Sequence, residues 1–162
     1  MNERLKAISC LLPSVLLLLL NGCTGSAQTR QEHVHQQAHS VMPFSVTKTV
    51  HIFRITEFGG VEQVIARDAT KTDQIARIRQ HLRYEAGRFQ RGDYSDPAKL
   101  HGADMPGIKE LQAGAAHIKI SYGDLPAGGE IVFETGDLHM LTALHRWFGA
   151  QLSEHGADAR PE

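Results

Sequence analysis

Histidine is the residue type in this chain that most invites chemistry. Ten of the 162 residues are His, at positions 33, 35, 39, 51, 81, 101, 117, 139, 145 and 155. Imidazole titrates near neutrality and is a common metal ligand when neutral. His81 and Glu85 are four residues apart in a stretch of helical periodicity, so they share a face. That spacing can hold a metal ion, or let the carboxylate set the imidazole tautomer. An ordinary surface pair is the alternative. His145 sits about 40° from Leu141 on a helical wheel, with Leu144, Phe148 and Leu152 at roughly 300°, 340° and 20°. Its imidazole therefore faces the core or its margin, as a ligand or acid–base group, or as a core histidine bonded to a backbone carbonyl.

His101 and Met105 lie in an irregular stretch between two more regular halves. A thioether with imidazoles suits copper, and a His/Met pair also suits haem iron; carboxylate with imidazoles suits zinc. A Met that merely fills the core is the alternative. The expected metal set is His81, Glu85, His101, Met105 and His145, with copper or zinc favoured over haem. His33, His35 and His39 would chelate weakly from a flexible segment. No nucleophile elbow, phosphate loop, zinc-protease helix motif or c-type haem cysteine pair is present.

The N-terminus carries an address. Arg4 and Lys6 precede an apolar run from Leu11 to Leu20, which closes in Leu20-Asn21-Gly22-Cys23. A positive flank before a run of about ten apolar residues is the layout of an export signal, and the run is shorter than the ~20 residues of a spanning helix. The Leu-Asn-Gly-Cys ending resembles the lipobox of bacterial lipoproteins, which implies acylation of Cys23 as the first mature residue. The expectation is a lipoprotein of the cell envelope, anchored to the membrane through Cys23 and facing the periplasm from the outer membrane in a two-membrane cell. Cys10 and Cys23 are the two cysteines, so no thiol remains for a disulfide, a Cys-based metal site or a nucleophile. Without residues 1–22 the charges are 15 basic against 17 acidic, because Glu3, Arg4 and Lys6 are lost from 17 and 18. A net charge of −2 carries no nucleic-acid footprint.

The remaining 140 residues suit one domain. Residues 23–42 are rich in Ser, Gln and His and read as a flexible tether, residues 43–156 as a single domain, and residues 157–162 as a disordered tail. Val46 to Thr56 and Val61 to Ala66 flank a glycine pair and read as a hairpin. Thr70 to Asp73 offers a capping-box start, followed by Ile75, Ile78, Leu82, Ala86 and Phe89 at helical spacing. Asp93 to Met105 reads as irregular, with a short helical turn from Pro106. His117 to Tyr122 and Glu130 to Glu134 read as a second hairpin. Asp137 is a good N-cap for a last helix lined by Leu141, Leu144, Phe148 and Leu152. The halves match at an ungapped offset of 66, with His51 on His117 and Ile65 on Ile131. The expectation is an α+β fold of two ββα units, forming a four-stranded antiparallel sheet with two helices on one face.

Gly92-Asp93-Tyr94-Ser95-Asp96-Pro97, then His101-Gly102-Ala103-Asp104-Met105-Pro106-Gly107, then Leu144-His145-Arg146-Trp147-Phe148 through Gln151 and His155-Gly156, resemble a family of small exported bacterial proteins. Its members often carry the label aspartate carbamoyltransferase, and the family has no established activity. That label does not fit, because the chain lacks the Ser-Thr-Arg-Thr carbamoyl-phosphate loop and the His-Pro motif of transcarbamoylases. The functional expectation is a non-enzymatic domain that binds a metal ion or small ligand through His and Met side chains. The alternative is an accessory or structural lipoprotein that docks a protein partner in the envelope. A hydrolase or isomerase using His81 and Glu85 as a base ranks below both.

Cys23→Ser is expected to release the protein from membranes or leave it unprocessed. Fractionation and mass measurement check this, and an unchanged result overturns the lipid assignment.

Overall fold

The computed structural model describes residues 24–162; the expected signal segment and Cys23 lie outside the described residues. The chain runs α1 (Thr24–Ala38), β1 (Thr49–Thr56), β2 (Gly59–Ala66), α2 (Thr72–Phe89), α3 (Ser95–His101), α4 (Ile108–Ala113), β3 (Lys119–Leu125), β4 (Gly128–Glu134), α5 (Leu138–His155) and β5 (Ala159–Pro161). Among the described residues the fold is α+β, with five helices and one sheet of order β3-β4-β2-β1-β5. The first four strands pair antiparallel. β5 adds to β1 in parallel, His51 opposite Ala159, so the sheet is five-stranded and mixed rather than four-stranded. Among the described residues no helix is long and apolar enough to cross a membrane.

The ungapped repeat is corrected too. The offset from α2 to α5 is 66, from Thr72 to Leu138, but from β2 to β4 it is 69, from Gly59 to Gly128. His117 therefore ends a 3₁₀ turn (Ala115–His117) instead of sharing the strand position of His51.

Strand alternation aims Phe53, Val64, Ile131 and Phe133 at the helices. There they meet Phe89, Trp147 and Phe148: Phe53 lies 5.1 Å from Phe148, and Phe133 lies 5.9 Å from Trp147, ring centre to ring centre. On α5 the buried stripe runs through Met140, Leu144, Trp147, Phe148, Gln151 and His155, not the expected Leu141 and Leu152, which are half-buried. Trp147 has the most apolar area to hide and takes the inward place. Asp137 caps α5 as expected, accepting from the His139 and Met140 N–H groups at 2.8 and 3.2 Å. Thr70 does not cap α2; its N–H and hydroxyl donate to Asp68 instead. Gly107 has φ +86°, and a Cβ there would lie 2.0 Å from the Ala143 carbonyl oxygen, so only glycine lets the entry to α4 approach α5 this closely.

Three segments expected to be irregular are ordered. The expected tether contains α1, whose Val34 and Ala38 bury against Val46 and Leu100. The expected tail supplies β5, anchored by buried Asp158, which pairs with His35 and Arg67. The stretch after Gly92 holds α3, with Pro97 in its first turn and Gly102 at φ +100° just after its end. Tertiary partners order all three, since local composition is too polar to do so.

Arg88 joins α2 to α3. Its buried guanidinium forks onto Asp93 at 2.9 and 3.1 Å, and its Nη1 reaches Asp96 at 2.6 Å and Glu85 at 3.0 Å. Arg88→Met would leave buried Glu85 facing two acidic neighbours without a cation. A loss of about 3–5 kcal/mol in unfolding free energy is expected, measured by urea denaturation; a loss under ~1 kcal/mol would show the clamp to be dispensable.

Candidate functional site

The two central strands each place one polar side chain on the face that meets the helices. β1 presents His51 two residues before Phe53, and β2 presents Glu62 two residues before Val64. His51 lies opposite Val64, and Glu62 lies opposite both Phe53 and Ile131. Above them α2 contributes His81 and Glu85, α3 contributes Asp96 and His101, and α5 contributes Gln151 and His155. Val41, Met42 and Phe44, between α1 and β1, close the top. Together they enclose a cavity of about 40 Å³, room for a few waters or one ion with its waters.

Three imidazoles meet at one end. His51 and His155 stack with ring centres 4.6 Å apart, and His101 stands edge-on to His155 at 4.9 Å. His101 Nδ1 lies 2.9 Å from Glu154 Oε2, while the other Glu154 oxygen accepts from Arg30 of α1 at 2.7 Å. Nδ1–H donates to the carboxylate, and Nε2 is buried on the far side of the ring. The His81 ring packs edge-on to Phe44 at 5.6 Å.

Seven side-chain polar atoms of the lining residues have no hydrogen-bond partner among the described residues. They are both ring nitrogens of His51, His155 Nδ1, His101 Nε2, Glu85 Oε2, Gln151 Oε1 and Trp147 Nε1. Burial sets the protonation of five lining groups. It lowers His51 to about 3, His81 to about 4 and His155 well below its ordinary range. Burial likewise raises Glu62 to about 8, helped by Glu85, and Glu85 to about 7, opposed by Arg88. At neutral pH the cavity thus presents His51, His81 and His155 uncharged and Glu62 protonated, each able to donate or accept. No Ser, Thr or Cys lines it among the described residues.

His81, Glu85 and His101 all line this cavity, and Glu85 pairs with Arg88, not His81. Met105 and His145 do not join them. Met105 is buried in the apolar core, and His145 Nε2 donates to the Gly59 carbonyl at 2.9 Å. The five-residue metal set is therefore not one site, and among the described residues no three His, Asp or Glu side chains converge on one point. Sequence reasoning missed His51, Glu62, Gln151 and His155. Their signal is a polar residue at an inward position of an apolar pattern: His51 before Phe53, Glu62 before Val64, and Gln151 and His155 continuing the line of Leu144 and Phe148. No family model, curated protein or solved structure matches this chain.

The protonation states predict a stability optimum. His51, His81 and His155 titrate lower folded than their ordinary 6.5, so the unfolded chain takes up protons first and stability is lost as pH falls below ~6.5. Glu62 and Glu85 titrate higher folded than their ordinary 4.5, so stability is lost as pH rises from ~4.5 toward ~8. The opposing slopes place maximum stability at about pH 6–6.5. Urea midpoints between pH 4.5 and 8.5 check this; a flat profile would show that these groups are not held uncharged.

Proposed function

We propose that this chain is an envelope lipoprotein domain that binds a small ligand, without chemistry of its own, in the cavity between the sheet and α2, α3 and α5. One observation carries the reading: seven polar side-chain atoms without partners among the described residues belong to residues that line a single cavity. A buried polar group left unpaired costs about 1–3 kcal/mol, and a fold that needed only stability would fill such positions with apolar side chains. Destabilising polar groups gathered in one place are the mark of a site kept for binding. The N-terminal pattern ending in Cys23 supports the envelope address, and the resemblance to small exported proteins agrees with it.

Docking of a protein partner is a second reading, favoured by two exposed apolar side chains at the far end of the sheet. Phe58 is 70 % exposed and Leu138 is 77 % exposed. The Thr135 N–H donates to the Phe58 carbonyl at 2.8 Å, which brings the hairpin tip beside the start of α5.

His51→Leu separates a binding role from a structural one. The change removes two ring nitrogens unpartnered among the described residues from a position that is 2 % exposed. The free protein is expected to gain about 1–3 kcal/mol of unfolding free energy. A loss of more than ~1 kcal/mol would show that His51 serves the fold and would overturn the ligand reading.

A further inference from the structure

We propose that the cavity binds a small ammonium cation, ammonium itself or methylammonium, among the carboxyl groups of Glu62, Glu85 and Asp96 and the side chains of His51 and Gln151. The inference rests on the cavity being a ligand site and names the ligand's class. Size is the first argument. A volume of about 40 Å³ holds roughly two or three water-sized groups, whereas pockets for larger organic ligands run to roughly 300–1,000 Å³. Hydrogen-bonding capacity is the second. Gln151 Oε1 accepts, Glu85 Oε2 accepts when ionised, and neutral His51 keeps one accepting nitrogen. All three are buried and unpartnered among the described residues. Of the unpartnered atoms on the wall, Trp147 Nε1 alone can only donate. An acceptor-rich wall calls for a donor-rich ligand, and a primary ammonium carries three N–H donors and no acceptor.

Charge is the third argument. Glu62, Glu85 and Asp96 all line the cavity, and the one guanidinium beside it, Arg88, is shared among Glu85, Asp93 and Asp96. An anion would be repelled by these carboxyls, and a cation is drawn to them. Phe44, Phe89 and Trp147 line the same space, and aromatic rings attract ammonium groups. Such a cation bonds through separate N–H groups. It needs no set of His, Asp or Glu ligands converging on one point, which the described residues do not provide. The proposal fixes a pH dependence. Glu62 shares the cavity with His51 of β1, His81 and Glu85 of α2, Asp96 and His101 of α3 and His155 of α5; Tyr94, ahead of α3, lies near it as well. Burial and Glu85 raise Glu62 to about 8, and burial raises Glu85 to about 7 against the pull of Arg88. A bound cation favours their carboxylates, so binding releases protons to solvent and affinity rises with pH up to about 8. His51, His81 and His155 are uncharged throughout that range and add no opposing charge.

The test uses the purified full-length chain in detergent. Methylammonium chloride is titrated while the urea midpoint and the proton NMR spectrum are followed. Potassium chloride at equal ionic strength and formamide, an uncharged amide of similar size, are the comparisons. Methylammonium is expected to raise the midpoint saturably, with a dissociation constant of roughly 1–10 mM, near the ceiling for so few atoms. Potassium and formamide should leave it unchanged. Binding should tighten roughly 10-fold or more between about pH 6 and pH 8, a range in which a primary amine stays protonated. Glu62→Gln should weaken binding about 10-fold and flatten that rise, because the amide cannot ionise. If Glu62→Gln does not fold, Gln151→Met, which removes an acceptor, should weaken binding by about 10-fold. Absence of a saturable shift, an equal shift with potassium or formamide, or a flat pH profile overturns the proposal. So does an affinity unchanged in Glu62→Gln, or in Gln151→Met where that variant stands in. If methylammonium does not bind while His51→Leu still stabilises the free protein, the cation inference alone falls. If His51→Leu destabilises it, the ligand reading falls as well.

Discussion

A buried guanidinium organises this molecule. Arg88 sits in the last turn of α2 and is held by Asp93, Asp96 and Glu85, with Ser95 as a further acceptor. A seven-residue helix such as α3 is not stable by itself. The clamp starts α3 in a fixed direction from the end of α2, and α3 then carries Leu100 and His101 back over the sheet. Removing a charge from water is costly, and the gain returns only when all its donors are used; here the fork and both outer nitrogens are. The same contacts draw Glu85 and Asp96 to the cavity wall, so one interaction both builds the scaffold and holds part of the half of the polar lining that α2 and α3 supply.

The other half comes from the sheet and from α5. His51 and Glu62 occupy inward positions whose strand neighbours, Phe53 and Val64, are ordinary core residues. Their cost is offset by the aromatic group of Phe53, Phe89, Phe133, Trp147 and Phe148 on the adjoining part of the same face. Ring pairs at 5 to 6 Å in edge-on arrangements add to plain burial. Apolar core and polar cavity thus share one interlayer: the core supplies rigidity, and the cavity supplies groups that core would not tolerate alone.

α1 and β5 come together beside this site. α1 lies across α5 and α3 with its own small apolar cluster, Val34 and Ala38 against Val46 and Leu100. Its polar ties run to the same elements that hold the imidazoles. Arg30 shares Glu154 with His101, and His35 meets Asp158 at the root of β5. β5 in turn lies beside His51 through Ala159. Contacts of the cover and contacts of the imidazoles therefore pass through common side chains.

Local patterning by itself determined the hairpins, the long helices and the Asp137 cap, because strand alternation, helical spacing and side-chain capping act within a few residues. It also marked His81, Glu85 and His101 as residues worth following. What only the tertiary structure decided is the partnering. Whether His145 faces a ligand or the Gly59 carbonyl depends on where the first hairpin's tip falls, which no window around His145 contains. The order of α1, α3 and β5 depends on distant partners such as Leu100, Arg88 and the edge of β1. His51, Glu62 and His155 sit at legible core positions, but their gathering into one cavity is set by how two sheet strands and three helices close on each other. Side-chain chemistry is written locally, while a site is a coincidence of surfaces far apart in the chain.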